Sequence, residues 1–169
     1  ACASKKDGDG GLAPGKLVFA DALEAFTGKS YPELKRALTG GRAPHAENLG
    51  GPAIVGAINA SQILSDLPVT FKFYGATGND GTADFLRSII AKTPLDASNY
   101  VTLPGASPST DVLSDPRAHD GKGDRTFINT IGACYTYTPE QLPDAFYEAD
   151  IIWFGATALV PSFHEKLSV

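Results

Sequence analysis

The sequence predicts an α/β fold, and three observations carry that prediction. Apolar stretches of strand length alternate with stretches whose apolar residues share one helical face. Gly and Pro punctuate the chain between them, where it must turn. Residues 150–155 (DIIWFG) form an almost continuous apolar run, as expected of a strand buried on both faces of a parallel sheet. At 169 residues the chain suits one domain, able to bury roughly 70% of the surface its unfolded form exposes.

The elements follow in order. Residues 16–26 (KLVFADALEAF) read two ways: Leu17, Val18 and Phe19 suit a buried strand, whereas ADALEAF favours a helix. Residues 31–38 suit a short helix carrying Leu34 and Leu38, and residues 40–51, with two Gly-Gly pairs and Pro44, read as loop. From Pro52 to Leu64 a helix is expected to open at the second Gly-Gly pair, with Pro52 in its first turn and Ile54, Val55 and Ile58 on one face. Residues 69–74 (VTFKFY) alternate as a strand does. Asp80 is placed to cap a helix through Lys92, whose apolar stripe is Phe85, Leu86, Ile89 and Ile90. Residues 99–103, 109–114 and 125–131 suit short strands. The last two flank a polar, Gly-rich stretch with no helix in it, so they read as an antiparallel pair set apart from the main sheet. Thr138-Pro139-Glu140-Gln141 has the order of a capping box and predicts a helix to about Glu148.

Composition excludes several classes. A net charge of −5 without a Lys/Arg cluster argues against a nucleic-acid partner. No apolar run approaches the ~20 residues that cross a bilayer, so no membrane partner is expected. Cys2 and Cys134 give neither a disulfide framework nor a zinc spacing, which suits a reducing, cytoplasmic setting. The chain begins at Ala1 and has no methionine, so it reads as a fragment or as a sequence with residues missing. Residues 1–15 read as a flexible or processed start with no signal-peptide pattern. Gly28-Lys29-Ser30 ends like a phosphate loop, but Leu23 stands where that loop needs Gly. Asp7-Gly8-Asp9 begins like a calcium loop whose twelfth position is Val18, and His45, His119 and His164 fit no metal spacing. No metal site is expected.

Three motifs survive in fixed order: Gly50-Gly51 opening a small-residue helix, Gly75-Ala76-Thr77-Gly78-Asn79-Asp80 between strand and helix, and Gly123-Asp124-Arg125-Thr126-Phe127 entering a strand. With Ser109-Thr110 and Ala149-Asp150, this order resembles the N-terminal half of the ribokinase-like (PfkB) family of carbohydrate and nucleoside kinases, over about residues 48–160. The resemblance implies a partial three-layer α/β/α sandwich with a small antiparallel β lid within about residues 107–131. Residues 16–169 would then be the substrate-side part of a single domain. Three departures stand out: Val55 replaces a usual Asn, Ala83 replaces the last Gly of the second motif, and the family's opening strand has no clean counterpart.

The activity implied is ATP-dependent phosphorylation of a sugar or nucleoside hydroxyl, with Mg²⁺. The alternative is a non-catalytic sugar-binding or regulatory module of the same fold. The family's catalytic Asp, in a Gly-Ala-Gly-Asp motif at a helix N-terminus, is expected beyond Val169, so the 169-residue chain is expected to be inactive alone. Gly121-Lys122-Gly123-Asp124 copies those letters but leads into RTFINTI, a strand pattern, and reads as a hairpin turn. The substrate-binding candidates are Asp21 (with Glu24 next), Gly50, Gly51 and Asn129. Gly50-Gly51 either lets a hydroxyl approach the backbone or serves a turn that needs positive φ. Asn129 either offers a polar contact beneath the lid or satisfies a neighbouring strand. Asn79 and Asp80 read as turn and cap, and exposed lid strands invite edge-to-edge pairing in a homodimer.

Overall fold

Residues 16–27 are both a strand and a helix: β1 (Leu17–Phe19) runs directly into α1 (Ala20–Thr27), which resolves the ambiguity of that stretch. The computed structural model describes residues 2–155 and 159–166, without the side chains of His119 and Lys166. The chain forms two compact units: Ala1–Glu47 with Ser109–Thr130, and Asn48–Pro108 with Ile131–Val169.

The first unit is built on a three-stranded sheet. β5 (Asp124–Thr130) lies in its centre, parallel to β1 and antiparallel to β4 (Ser109–Asp115), so the expected antiparallel pair is present and a third strand extends it. Two helices pack on one face, α1 and α2 (Tyr31–Thr39), the latter opened by Ser30 with the Glu33 carboxylate accepting from its N–H and hydroxyl. Their core joins Val18, Ala20, Leu23, Leu34 and Ile128, with Leu23 at 0% and Ile128 at 1% exposure. Asp111 of β4 ties α2 down by accepting from the Tyr31 hydroxyl at 2.6 Å and pairing with Lys35 at 2.8 Å. Burial first, and that carboxylate second, push the Tyr31 phenol well above its ordinary pKa. Residues 2–12 fold back on themselves, and Cys2 and Leu12 pack against this core.

The second unit holds a parallel pair, β2 (Lys72–Thr77) and β3 (Asp96–Thr102). The expected strand at 69–74 starts later and runs on through Thr77, with Val69 left exposed. α3 (Pro52–Ile63) and α4 (Gly81–Ile90) form where the sequence places them, and Asp80 caps α4 by accepting from the Ala83 N–H at 3.0 Å. Ile54, Ile90, Leu95 and Tyr100 make the core, and Arg87 of α4 donates to the Tyr100 carbonyl and the Thr102 hydroxyl, each at 2.7 Å.

Two expectations fail here. The helix expected from Thr138 to about Glu148 breaks into two short 3₁₀ turns, Pro139–Gln141 and Asp144–Phe146. The capping box is present, but Pro143 lacks an N–H and its ring clashes with a helical turn before it, so only the start survives. Residues 150–155 are not a buried strand: they pair with no strand among the described residues, and Ile151 is 86% and Trp153 61% exposed. An apolar run records a preference for burial, whereas a strand needs a hydrogen-bonding neighbour. A short α5 (Ala118–Gly121) links β4 to β5, and α6 (Pro161–Lys166) packs with the 3₁₀ turn Gly132–Thr136.

Candidate functional site

The sheet of the first unit has one face covered by helices and a second that carries the site candidates. Register puts Leu17, Phe127 and Val112 side by side across that second face, and Phe19, Asn129 and Thr110 in the next row. Leu17 and Val112 are about half exposed, and the Arg125 guanidinium stands 5.7 Å from the Phe127 ring centroid. An apolar row therefore borders a polar pair.

Asn129 is 5% exposed, and its side-chain oxygen accepts from the Thr110 hydroxyl at 2.8 Å. Of the two roles open to it, the cross-strand one is seen, and contact with a ligand stays a proposal. Asp21 sits exposed in the first turn of α1, where its carboxylate accepts from the Ala22 N–H at 2.8 Å. A negative charge suits the start of a helix. Asp21 thus lies two residues beyond Phe19, the register partner of Asn129.

Gly50 and Gly51 belong to the second unit and are exposed. Gly51 stands at the start of α3 with φ of 103°, a conformation that disfavours any side chain. The backbone requirement is real there, and approach by a hydroxyl is again a proposal. Val55 N–H closes the first turn onto the Gly51 carbonyl at 3.1 Å.

The Asn79-Asp80 corner is a clamp. The Asp80 carboxylate accepts from the Ser107 hydroxyl at 2.6 Å and from the Ser107 N–H at 2.9 Å, besides capping α4. The Ser107 hydroxyl is also 2.9 Å from the Thr77 hydroxyl and accepts from Gly78 N–H at 3.1 Å. Asn79 exchanges two hydrogen bonds with Gly105, both 3.1 Å. The two Ser107 donors hold the Asp80 pKa below its ordinary value, against a smaller opposing effect of burial. The sequence shows the cap; it does not show Thr77 and Ser107, two hydroxyls separated by a helix and a strand.

The copy of the anion-binding letters at Gly121–Asp124 leads from a single helical turn into β5, as its sequence indicates, so no helix N-terminus follows it. Among the described residues no three His, Cys, Asp or Glu side chains gather to hold a metal ion. Cys134 is buried, donates to the Ala76 carbonyl, and has its thiol pKa pushed up to about 11 by burial, which suits packing rather than reactivity. Among the described residues no helix is long and apolar enough to cross a membrane.

These features define a class first: a partial ribokinase-like α/β fold. Solved structures that share this fold include adenosine kinases. The chain matches Anopheles gambiae adenosine kinase in complex with P1,P4-di(adenosine-5) tetraphosphate at 18% identity and a TM-score of 0.52, over 79% of this chain and 36% of that one. It matches Schistosoma mansoni adenosine kinase in complex with 2-fluoroadenosine at 14% identity and a TM-score of 0.55, over 79% and 35%. The same enzyme in complex with tubercidin gives 13% and 0.53, over 78% and 34%. The chain thus spans about a third of the length of these kinases. No protein-family model matches the sequence, and no curated protein matches it.

Proposed function

We propose that this chain supplies the acceptor-holding part of a cytoplasmic, ATP-dependent kinase acting on a hydroxyl of a sugar or nucleoside. The observation that carries this reading is the sheet face of the first unit opposite its helices, where an apolar row borders a polar pair, in a fold shared with kinases solved with nucleosides. Its apolar row, Leu17, Phe127 and Val112, suits a flat apolar surface such as a base. The neighbouring Asn129–Thr110 pair and the Asp21 carboxylate suit hydroxyls. ATP with Mg²⁺ would supply the phosphoryl group.

In this reading the residues of the chain bind and orient. Asn129, held by Thr110, presents a fixed amide, so little side-chain entropy is lost when a hydroxyl meets it. The sheet shields the acceptor from water, which would otherwise compete for the phosphoryl group. Taken by itself, Gly51 of the second unit offers a backbone that a hydroxyl can approach without meeting a side chain. The β4 edge, with Val112 half exposed, is the place for edge-to-edge pairing of two copies.

Isothermal titration of the 169-residue chain with adenosine and with ribose tests the acceptor role, alongside Phe127→Ala and Asn129→Ala. Binding weakened about tenfold by each change supports it. Absence of binding to both compounds overturns it. In a coupled ADP assay the chain alone is expected to show no turnover. A longer protein that binds the acceptor yet makes no ADP would establish the non-catalytic module instead.

A further inference from the structure

The polar row on the first unit's sheet has a chemical direction. β4 and β5 set Thr110 directly opposite Asn129. The Thr110 hydroxyl donates to the Asn129 side-chain oxygen at 2.8 Å, so the oxygen end of that amide is already engaged. Among the described residues the nitrogen end, Nδ2, has no hydrogen-bond partner. No buried side-chain nitrogen or oxygen among them lacks a partner, so Nδ2 is the part of this nearly buried residue that still reaches solvent. Asn129 therefore faces a ligand chiefly as a donor, with two N–H groups unplaced.

The neighbours narrow what such a donor can meet. Phe19 flanks Asn129 on the β1 side, and the adjacent row of Leu17, Phe127 and Val112 is apolar. Two residues of strand, about 6.6 Å, separate the rows. A flat bicyclic base can lie on the apolar row and set its edge at the polar one. A ring nitrogen at Nδ2 brings only a lone pair. A hydroxyl there brings a proton as well, for which Phe19 and the apolar row hold no acceptor.

We propose that Asn129, oriented by Thr110, donates a hydrogen bond to a ring nitrogen of a purine nucleoside whose base lies on the Leu17–Phe127–Val112 row, and so selects a nucleoside over a free sugar. Asn129 touches the ligand, and Thr110 is a positioning residue that acts through it. This rests on the substrate-holding role proposed above and gives that substrate a class. Every residue involved lies in the first unit.

The test is isothermal titration of the 169-residue chain with adenosine, ribose and the 1-, 3- and 7-deaza analogues of adenosine, in which one ring nitrogen at a time becomes C–H. One analogue is expected to bind about tenfold more weakly than adenosine, the worth of one hydrogen bond. Asn129→Asp keeps an oxygen for the Thr110 hydroxyl and replaces the donor with a second oxygen. It is expected to weaken adenosine about tenfold and to abolish the difference between adenosine and that analogue. Thr110→Val frees the amide to turn and is expected to shrink the difference to about threefold, and Thr110→Ser to restore it. Circular dichroism checks that each variant folds, and the wild-type series alone suffices to overturn the proposal. Adenosine bound no better than any of the three analogues removes the donor assignment and leaves the substrate-holding role standing. So does a tenfold difference that survives Asn129→Asp, or ribose bound in preference to adenosine. Binding of neither adenosine nor ribose overturns the role itself, and the donor with it.

Discussion

The two units hold their sheets by different means. In the first, a central strand has partners on both sides and two helices seal one face with Leu23, Leu34 and Ile128. In the second, two strands have only each other among the described residues, and the loops at their ends are fixed by a buried polar cluster around Ser107. Apolar packing tolerates changes of solvent charge but not of volume. A carboxylate clamp tolerates neither loss of an atom nor loss of its charge.

The largest effect should come from volume. Leu23→Ala is expected to destabilise the first unit by ~3 kcal/mol, because a fully buried leucine between two helices leaves a cavity that cannot easily collapse. Urea unfolding followed by hydrogen exchange of the β5 amides measures it, and a loss under about 1 kcal/mol would mean that this core is not what holds the unit.

Charge comes next. Asp80 has its folded pKa below the ordinary 3.8, so its contribution is complete above that value and is lost as pH falls through the lower folded value. On acidification the Ser107 amide resonance should shift in that window, and Asp80→Ala should abolish the shift at a cost of about 2 kcal/mol in the second unit. A Ser107 amide indifferent to pH would erase the distinction between the units. Smallest is the effect at Ile151, where Ile151→Lys should change thermal stability by less than about 0.5 kcal/mol, because the side chain is already exposed. A substantial drop in melting temperature would show that Ile151 is packed after all.

How much of this could be read from the residues depends on how local the cause is. The Asp80 cap, the helix opening at Pro52 and the hairpin between β4 and β5 each follow from a few neighbouring residues. The parallel pairing of β1 with β5 joins Leu17 to Phe127, and no periodicity encodes a partner that distant. The 138–148 helix fails for a reason in plain view, Pro143, which a capping signal cannot outweigh. Of the site candidates, the positive φ of Gly51 is legible, since Gly-Gly before Pro asks for a turn. The Thr110 bond to Asn129 is not, because it depends on strand register.

The pairing of β1 with β5 has a consequence in time as well as in space. A ribosome delivers Leu17 long before Phe127, and every residue from Asn48 to Pro108 emerges between them. The first unit must therefore wait, with its opening strand unpaired, while the strands and helices of an intervening body are synthesised and begin to close. Order of synthesis and order of pairing are thus uncoupled in this chain: β1 leaves the ribosome ahead of a whole body of structure that separates it from β5.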